Sequence, residues 1–199
     1  MNNKPQRELT PAGETKWAHL HTPKAAFTDE KGNTKGDPKY QLDVYFSRED
    51  AAWSAWATKV MAKMKAMPDQ IDKRSGDVLK KQNPIKRELD EADQPTGRFY
   101  VTFKTSDKFK PGVFDKYGAV LPESVLVGNG SKVRVSYLEN TYDAFGGGIN
   151  FYLNAVQVLE LVEFKSQTAE AYGFDVAVAD FPADKPSSGF DDMPDDVPW

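Results

Sequence analysis

Residues 98–104 read RFYVTFK, and this strict alternation admits few local structures. Phe99, Val101 and Phe103 fall on one side of an extended chain, with Arg98, Tyr100, Thr102 and Lys104 on the other, because successive strand residues point to opposite faces. A helix would scatter the same residues around its circumference, so the pattern predicts a half-buried strand. Four other segments alternate in the same way: 15–22, 39–46, 132–138 and 149–164. In the second of these Leu42, Val44 and Phe46 share one face, and Gln41, Asp43 and Tyr45 the other. The fourth strand follows the turn signal Gly128-Asn129-Gly130. In the fifth, apolar parity changes near Ala155, which predicts a bulge or bend.

One helix is predicted between the second and third strands. Ser47 and Asp50 form an S-x-x-D capping pattern. Trp53, Trp56, Val60, Met64 and Met67 then recur at helical spacing, and Pro68 ends the run. Such a stripe is what a helix packed on a sheet requires. Residues 68–97 read as a long polar connection carrying Lys73, Arg74, Lys80, Lys81, Lys86 and Arg87, with Leu79, Ile85 and Leu89 as candidate anchors. Connections of this length are usually functional or disordered. Five strands with one inserted helix predict a mainly β fold, a five-stranded barrel of OB type. A β-sandwich would ask for about seven strands.

Charge divides the chain. Residues 1–165 hold 25 Lys and Arg against 22 Asp and Glu, a net of +3, whereas 166–199 hold one basic residue against eight acidic ones, a net of −7. The expected organisation is therefore a folded domain over 1–165 and a flexible linker with a disordered acidic tail over 166–199. The overall charge of −4 hides a mildly basic body. Cysteine is absent, which excludes disulfides and thiolate metal sites. Neither a membrane-spanning run nor a secretory signal is legible, so a cytoplasmic location is expected.

Catalytic patterns are quickly exhausted. There is no G-x-S-x-G and no H-E-x-x-H, and Gly146-Gly147-Gly148 lacks the Lys-Ser/Thr of a phosphate loop. His19 and His21 share a strand face near Glu14 and could serve a metal-dependent nuclease, but no third ligand can be named. No metal, no cofactor and no enzymatic activity are expected.

The informative signal is the interleaving of aromatic and basic side chains on the outward strand faces. With the apolar set turned inward, the outward set is Tyr45, Arg98, Tyr100, Lys104, Lys132, Arg134 and Tyr152. Burial of Ala18 and Leu20 turns Trp17 outward beside the two histidines. Residues 104–118 add Lys108, Phe109, Lys110 and Phe114. Single-stranded nucleic acid asks for these groups, cations along the phosphates and π-faces for the bases. A protein–protein adaptor on the same barrel is the alternative.

The chain ends FDDMPDDVPW, and its last residues, Asp195 to Trp199, resemble the acidic tip of bacterial and phage single-stranded DNA-binding proteins. The body is similar to a phage-encoded family of such proteins with an OB fold. The matching pattern is Lys110, Pro111, Asp115 and Gly118, a turn at Gly128, and Leu153-Asn154-Ala155-Val156-Gln157. Trp199 departs from the family's terminal phenylalanine. The resemblance implies a phage protein that coats single-stranded DNA in the host cytoplasm during replication or recombination. It also implies a tail that recruits partners such as a polymerase or exonuclease through Asp191, Asp192, Asp195, Asp196, Pro198 and Trp199.

Overall fold

In the computed structural model, which describes residues 7–164, each alternating segment forms a strand. In chain order the elements are β1 (Arg7–Leu9), β2 (Gly13–Lys24), β3 (Phe27–Thr28), β4 (Thr34–Lys35), β5 (Lys39–Ser47) and the helix α1 (Ala51–Ala66). β6 (Ile85–Leu89), β7 (Pro95–Ser106), β8 (Gly112–Phe114), β9 (Lys132–Tyr142) and β10 (Gly148–Glu160) follow. The fold is mainly β with one helix. The five expected strands are β2, β5, β7, β9 and β10. Their pairings run from β9 through β2, β5 and β7 to β10, and β10 pairs again with β9. All are antiparallel except β7 with β10, which meet in parallel at Lys104 and Tyr152. β2 is shared between β5 and β9 at Glu14, which is opposite both Tyr45 and Lys132, and the preceding Gly13 packs against β5. A Cβ there would lie 2.6 Å from Val44 Cγ1 and 2.7 Å from Phe46 Cε1, so glycine alone permits the approach.

The alternation also decides what lies inside. Leu42, Val44, Val101, Phe103, Val133, Val135, Phe151 and Leu153 are buried, and Phe99 is half-buried against them. The parity change near Ala155 is a register shift between Leu153 and Ala155 in the β9–β10 pairing. β8 joins β10 at that point, with Ala155 opposite Gly112.

The helix closes over this interior with Trp53, Trp56, Val60 and Met64 buried. Each side chain so withdrawn from water contributes about 1.5–3 kcal/mol. Trp53 stacks on Phe46 at 4.3 Å between centroids, and Trp56 lies 5.6 Å from Phe151. Trp56 Nε1 donates a buried hydrogen bond of 2.9 Å to the Tyr137 hydroxyl. The helix also holds β1 and β9 by ion pairs from Lys59 and Lys63 to Glu8 and from Lys63 to Glu139.

Three expectations change. The helix cap is Asp50, not Ser47: Asp50 Oδ1 accepts from the Ala52 and Trp53 amides at 2.8 and 3.2 Å. Ser47 is the last residue of β5, paired with Arg98, and cannot also begin the helix. The connection 68–97 is not all loop, because β6 pairs antiparallel with β7 around a turn in which Asp90 Oδ1 accepts from the Ala92 and Gln94 amides. Finally β1 and β8 extend the sheet of the five expected strands, and β3 and β4 form a separate two-stranded hairpin.

Trp56→Phe removes the only donor that the Tyr137 hydroxyl meets among the described residues. Denaturant unfolding should show a loss of about 0.5–1.5 kcal/mol, the net contribution of one hydrogen bond, because the hydroxyl still donates to Glu8 Oε2 at 3.5 Å. Hydrogen bonding from Lys59 holds Glu8 below its ordinary value of 4.5, against the opposing effect of burial, with Lys63 adding to the lowering. This stability is complete above that value and is lost as pH falls through the lower folded one. Acid titration of Glu8→Gln should therefore show a shallower decline below about pH 4.5 than the parent.

Candidate nucleic-acid interface

Registers across the ring place the outward side chains in rows. One row joins Glu14 of β2, Tyr45 of β5, Tyr100 of β7 and Lys86 of β6. The next joins Lys16, Asp43 and Thr102. A third crosses four strands, from His19 through Gln41 and Lys104 to Tyr152. Lys24, Lys39 and Ser106 form the row at one end. The β3–β4 hairpin leaves β2 at that end with Phe27 exposed, and Lys108 and Phe109 leave β7 there, Phe109 exposed as well.

Electrostatics separate this surface into two parts. Around Tyr45 the charges are matched. Lys16 bonds Glu88 at 2.7 Å, and Arg98 reaches Glu14 at 2.6 Å and Glu88 at 3.6 Å. Burial tends to raise the Glu88 pKa, but hydrogen bonds from Lys16 and Thr96 and the nearby Arg98 hold it low. Around Lys104 the charges are unmatched. Among the described residues no carboxylate pairs with Lys39, Lys86 or Lys104. Desolvation lowers the Lys104 pKa, and the like charges of Lys39 and Lys86 lower it further. Lys86 lies 5.6 Å above the Tyr100 ring. An anion lying there would relieve three cations at once.

Trp17 adds a second kind of tension. It sits in a register shift of β2 between Lys16 and His19, with φ +56°, and its side chain is 61% exposed. A positive φ in a bulky residue costs about 1–3 kcal/mol and persists only where the surroundings impose it. Here Asn129 Oδ1 accepts the Trp17 amide at 2.9 Å.

Solved structures with a similar fold include proteins of two phages. The chain is similar to gp2.5, a single-stranded DNA-binding protein encoded by bacteriophage T7, with TM-score 0.55 and 17% identity over 90% of this chain and 99% of that one. It is also similar to the single-stranded DNA-binding protein of bacteriophage Enc34, solved in complex with ssDNA, with TM-score 0.55 and 18% identity over 79% and 88% of the two chains. No family model and no curated protein matches the sequence. The fold is that of phage single-stranded DNA-binding proteins.

Within this fold the residues singled out from sequence fall into separate groups. Tyr45, Arg98, Tyr100, Lys104 and Tyr152 share the row-bearing face, with Trp17 at its β2 margin. Tyr45 was expected at the surface but is 8% exposed, because Tyr100 stacks on it at 5.1 Å and Lys16 and Arg98 cover its ring. Its hydroxyl pKa is raised to about 12, chiefly by burial and then by Asp43 and Glu88. Lys110 is held by Glu123 at 2.6 Å. Lys132 is opposite Glu14 at the end of the first row, whereas Arg134 and Phe114 sit elsewhere, around β8, β9 and the far half of β10. There Gln157 is in register with both Arg134 and Phe114, and Lys132 pairs with Glu160 at 3.4 Å. Asp191, Asp192, Asp195, Asp196, Pro198 and Trp199 lie outside the described residues.

Sequence reasoning did not place Lys39 or Lys86 on this face, although Lys86 is among the cations it noted in the 68–97 connection. Lys39 shares the parity of Gln41, Asp43 and Tyr45, so extending that alternation by one residue would have found it. Lys86 left no such signal, because a charged edge strand reads as loop. His19 and His21 do share the outward side of β2, yet among the described residues no group of three or more His, Asp or Glu could hold a metal ion.

Because the folded state lowers the Lys104 pKa, its charge costs stability that sets in as pH falls below the ordinary value of 10.5 and is present at neutral pH. Lys104→Gln should leave the melting temperature at pH 7 unchanged or higher. Added salt should narrow the difference as the repulsion from Lys39 and Lys86 is screened.

Proposed function

We propose that the protein binds single-stranded DNA, without strong sequence preference, across the outward face of β2, β5, β7 and β10. One observation carries the reading: Lys39, Lys86 and Lys104 stand unmatched on one face beside Tyr100 and Tyr152. Phosphates would neutralise the cations while bases stack on the exposed rings, each stack contributing roughly 1–3 kcal/mol. Tyr152, 44% exposed, offers the more open ring. The solved complex of the Enc34 protein with ssDNA supports the ligand class.

In this reading the ring of pairings is a closed five-stranded barrel of OB type, within a binding domain that spans residues 1–165. Trp17, Lys108 and Phe109 extend the face at its margins. Arg98 orders Tyr45 and Tyr100 and contacts phosphate only where its ion pairs open. Lys110, Lys132, Arg134 and Phe114 belong to the periphery of the DNA path. The protein is a binding protein and not an enzyme, acting in phage replication or recombination in the host cytoplasm. Residues 166–199 form its linker and acidic tail, through which replication proteins are recruited.

Fluorescence anisotropy with single-stranded and duplex oligonucleotides at two salt concentrations tests the ligand. If about five phosphates are neutralised, affinity for the single strand should fall roughly a hundredfold between 50 and 200 mM salt. Lys86→Gln and Lys104→Gln should each remove about one contact from that slope, and Tyr152→Ala should weaken binding with little change in melting temperature. A wild-type protein that binds no oligonucleotide would favour the adaptor alternative.

A further inference from the structure

The row from Tyr152 through Lys104 and Gln41 to His19 spans about 14 Å, three strand spacings, and ends beside a cavity. That cavity, of about 390 Å³, is lined by Trp17, His19, Leu126, Gly128, Asn129 and Phe164 among others. We infer that it receives one unstacked nucleobase of a strand lying along this row. The inference rests on the single-strand reading above and adds to it a base-holding site distinct from the open stacking surface.

Four observations support the assignment. The first is that the indole of Trp17 does little for the fold. It is mostly exposed, and its backbone is held in a conformation that packing does not reward. A strained, exposed tryptophan at the mouth of a cavity is explained by what enters it. The second is that the walls are preorganised. Gly128 donates to the Val162 carbonyl at 2.7 Å, the Phe164 amide to the Leu126 carbonyl at 2.9 Å, and the Ser131 hydroxyl to the Gly128 carbonyl at 2.8 Å. A Cβ on Gly128 would meet Val162 O at 2.7 Å, so this wall cannot shift outward to admit a side chain there.

The third observation is the chemistry of the lining. Trp17 and Phe164 offer exposed π-surface, and apolar area dominates the remainder. Asn129 commits its carbonyl to the Trp17 amide, which leaves its amide N–H groups without a partner among the described residues. Every nucleobase carries an acceptor for such a donor, so the pocket would grip a base with little regard to its identity. Burial, and secondarily Lys24, lowers the His19 pKa, so that ring is neutral at pH 7 and presents a further uncharged wall. The fourth observation is continuity. The unmatched Lys104 and Lys39 lie on the approach, where the phosphates leading to such a base would run.

The test uses the full-length protein and the shortest oligonucleotide that binds with full affinity, intact or with a single abasic position moved along it. One abasic position should weaken binding to the wild type roughly five- to hundredfold. Trp17→Gly should weaken binding of the intact strand by a similar factor and be indifferent to that abasic position. Its salt slope should be unchanged, because no phosphate contact is removed. Its melting temperature should not fall, since glycine accepts φ +56°. Phe164→Ala, which leaves β2 untouched, should repeat the pattern. The inference is overturned if both variants bind like the wild type, or if no abasic penalty disappears in either, while Lys104→Gln and Tyr152→Ala still weaken binding. Absence of binding by the wild type itself would overturn the single-strand reading, and the cavity assignment with it.

Discussion

Tyr137 carries a hydroxyl into an interior otherwise made of Phe103, Phe151 and the inward valines. Unpaired there, such a group would cost about 1–3 kcal/mol. The Trp56 indole meets it, so α1 has one seat on the sheet and one rotation about its own axis. From that seat Trp53 stacks on Phe46 and Trp56 approaches Phe151, which ties the helix to β5, β9 and β10 together. With the inner side filled by large rings, the opposite parity of every strand is forced outward. The ligand face proposed here is thus a consequence of how the core is filled.

That outward face works against the fold. Lys39, Lys86 and Lys104 repel one another, and Trp17 holds a backbone conformation that bulky residues avoid. Both are tolerable because the aromatic interior and the ladder hydrogen bonds over-determine the scaffold. Under the proposed function, both costs would be offset when an anionic strand with free bases lies on the face. Beside this strained half, the Tyr45 region is neutralised internally by Glu14 and Glu88. It acts as a rigid shoulder that fixes Tyr100 beneath Lys86, and its cations are held by the protein's own carboxylates.

Alternation made the five main strands legible from sequence, with the inward set from Leu42 to Leu153, the helical stripe Trp53–Trp56–Val60–Met64 and the bulge near Ala155. These are local consequences of side-chain period, and any chain with that pattern must satisfy them. The placement of Tyr100, Lys104 and Tyr152 outward was equally local. What alternation could not convey is which outward residues are neighbours. Lys104 meets Tyr152 only because β7 and β10 pair in parallel, and Lys86 reaches Tyr100 only because β6 doubles back on β7. Tyr45 has the parity of a surface ring, yet it is covered because its cross-strand partner is also a tyrosine and cations arrive from β2 and β7. Trp17 is outward as the parity of Ala18 and Leu20 predicts, but its positive φ, beside an amide held by a side chain 112 residues away, is invisible in sequence.

The sequence alone therefore determined the five main strands and the helix, most of the inside and the outside, and the chemical character of the outside, with cations and aromatics interleaved among other polar residues. Tertiary structure decided which cations are cancelled and which are left unmatched, because pairing depends on strand order and register across the ring. It also gathered Trp17, Asn129 and Phe164 around one cavity, since residues so far apart in the chain meet only after the sheet has curled and its ends have been strapped together.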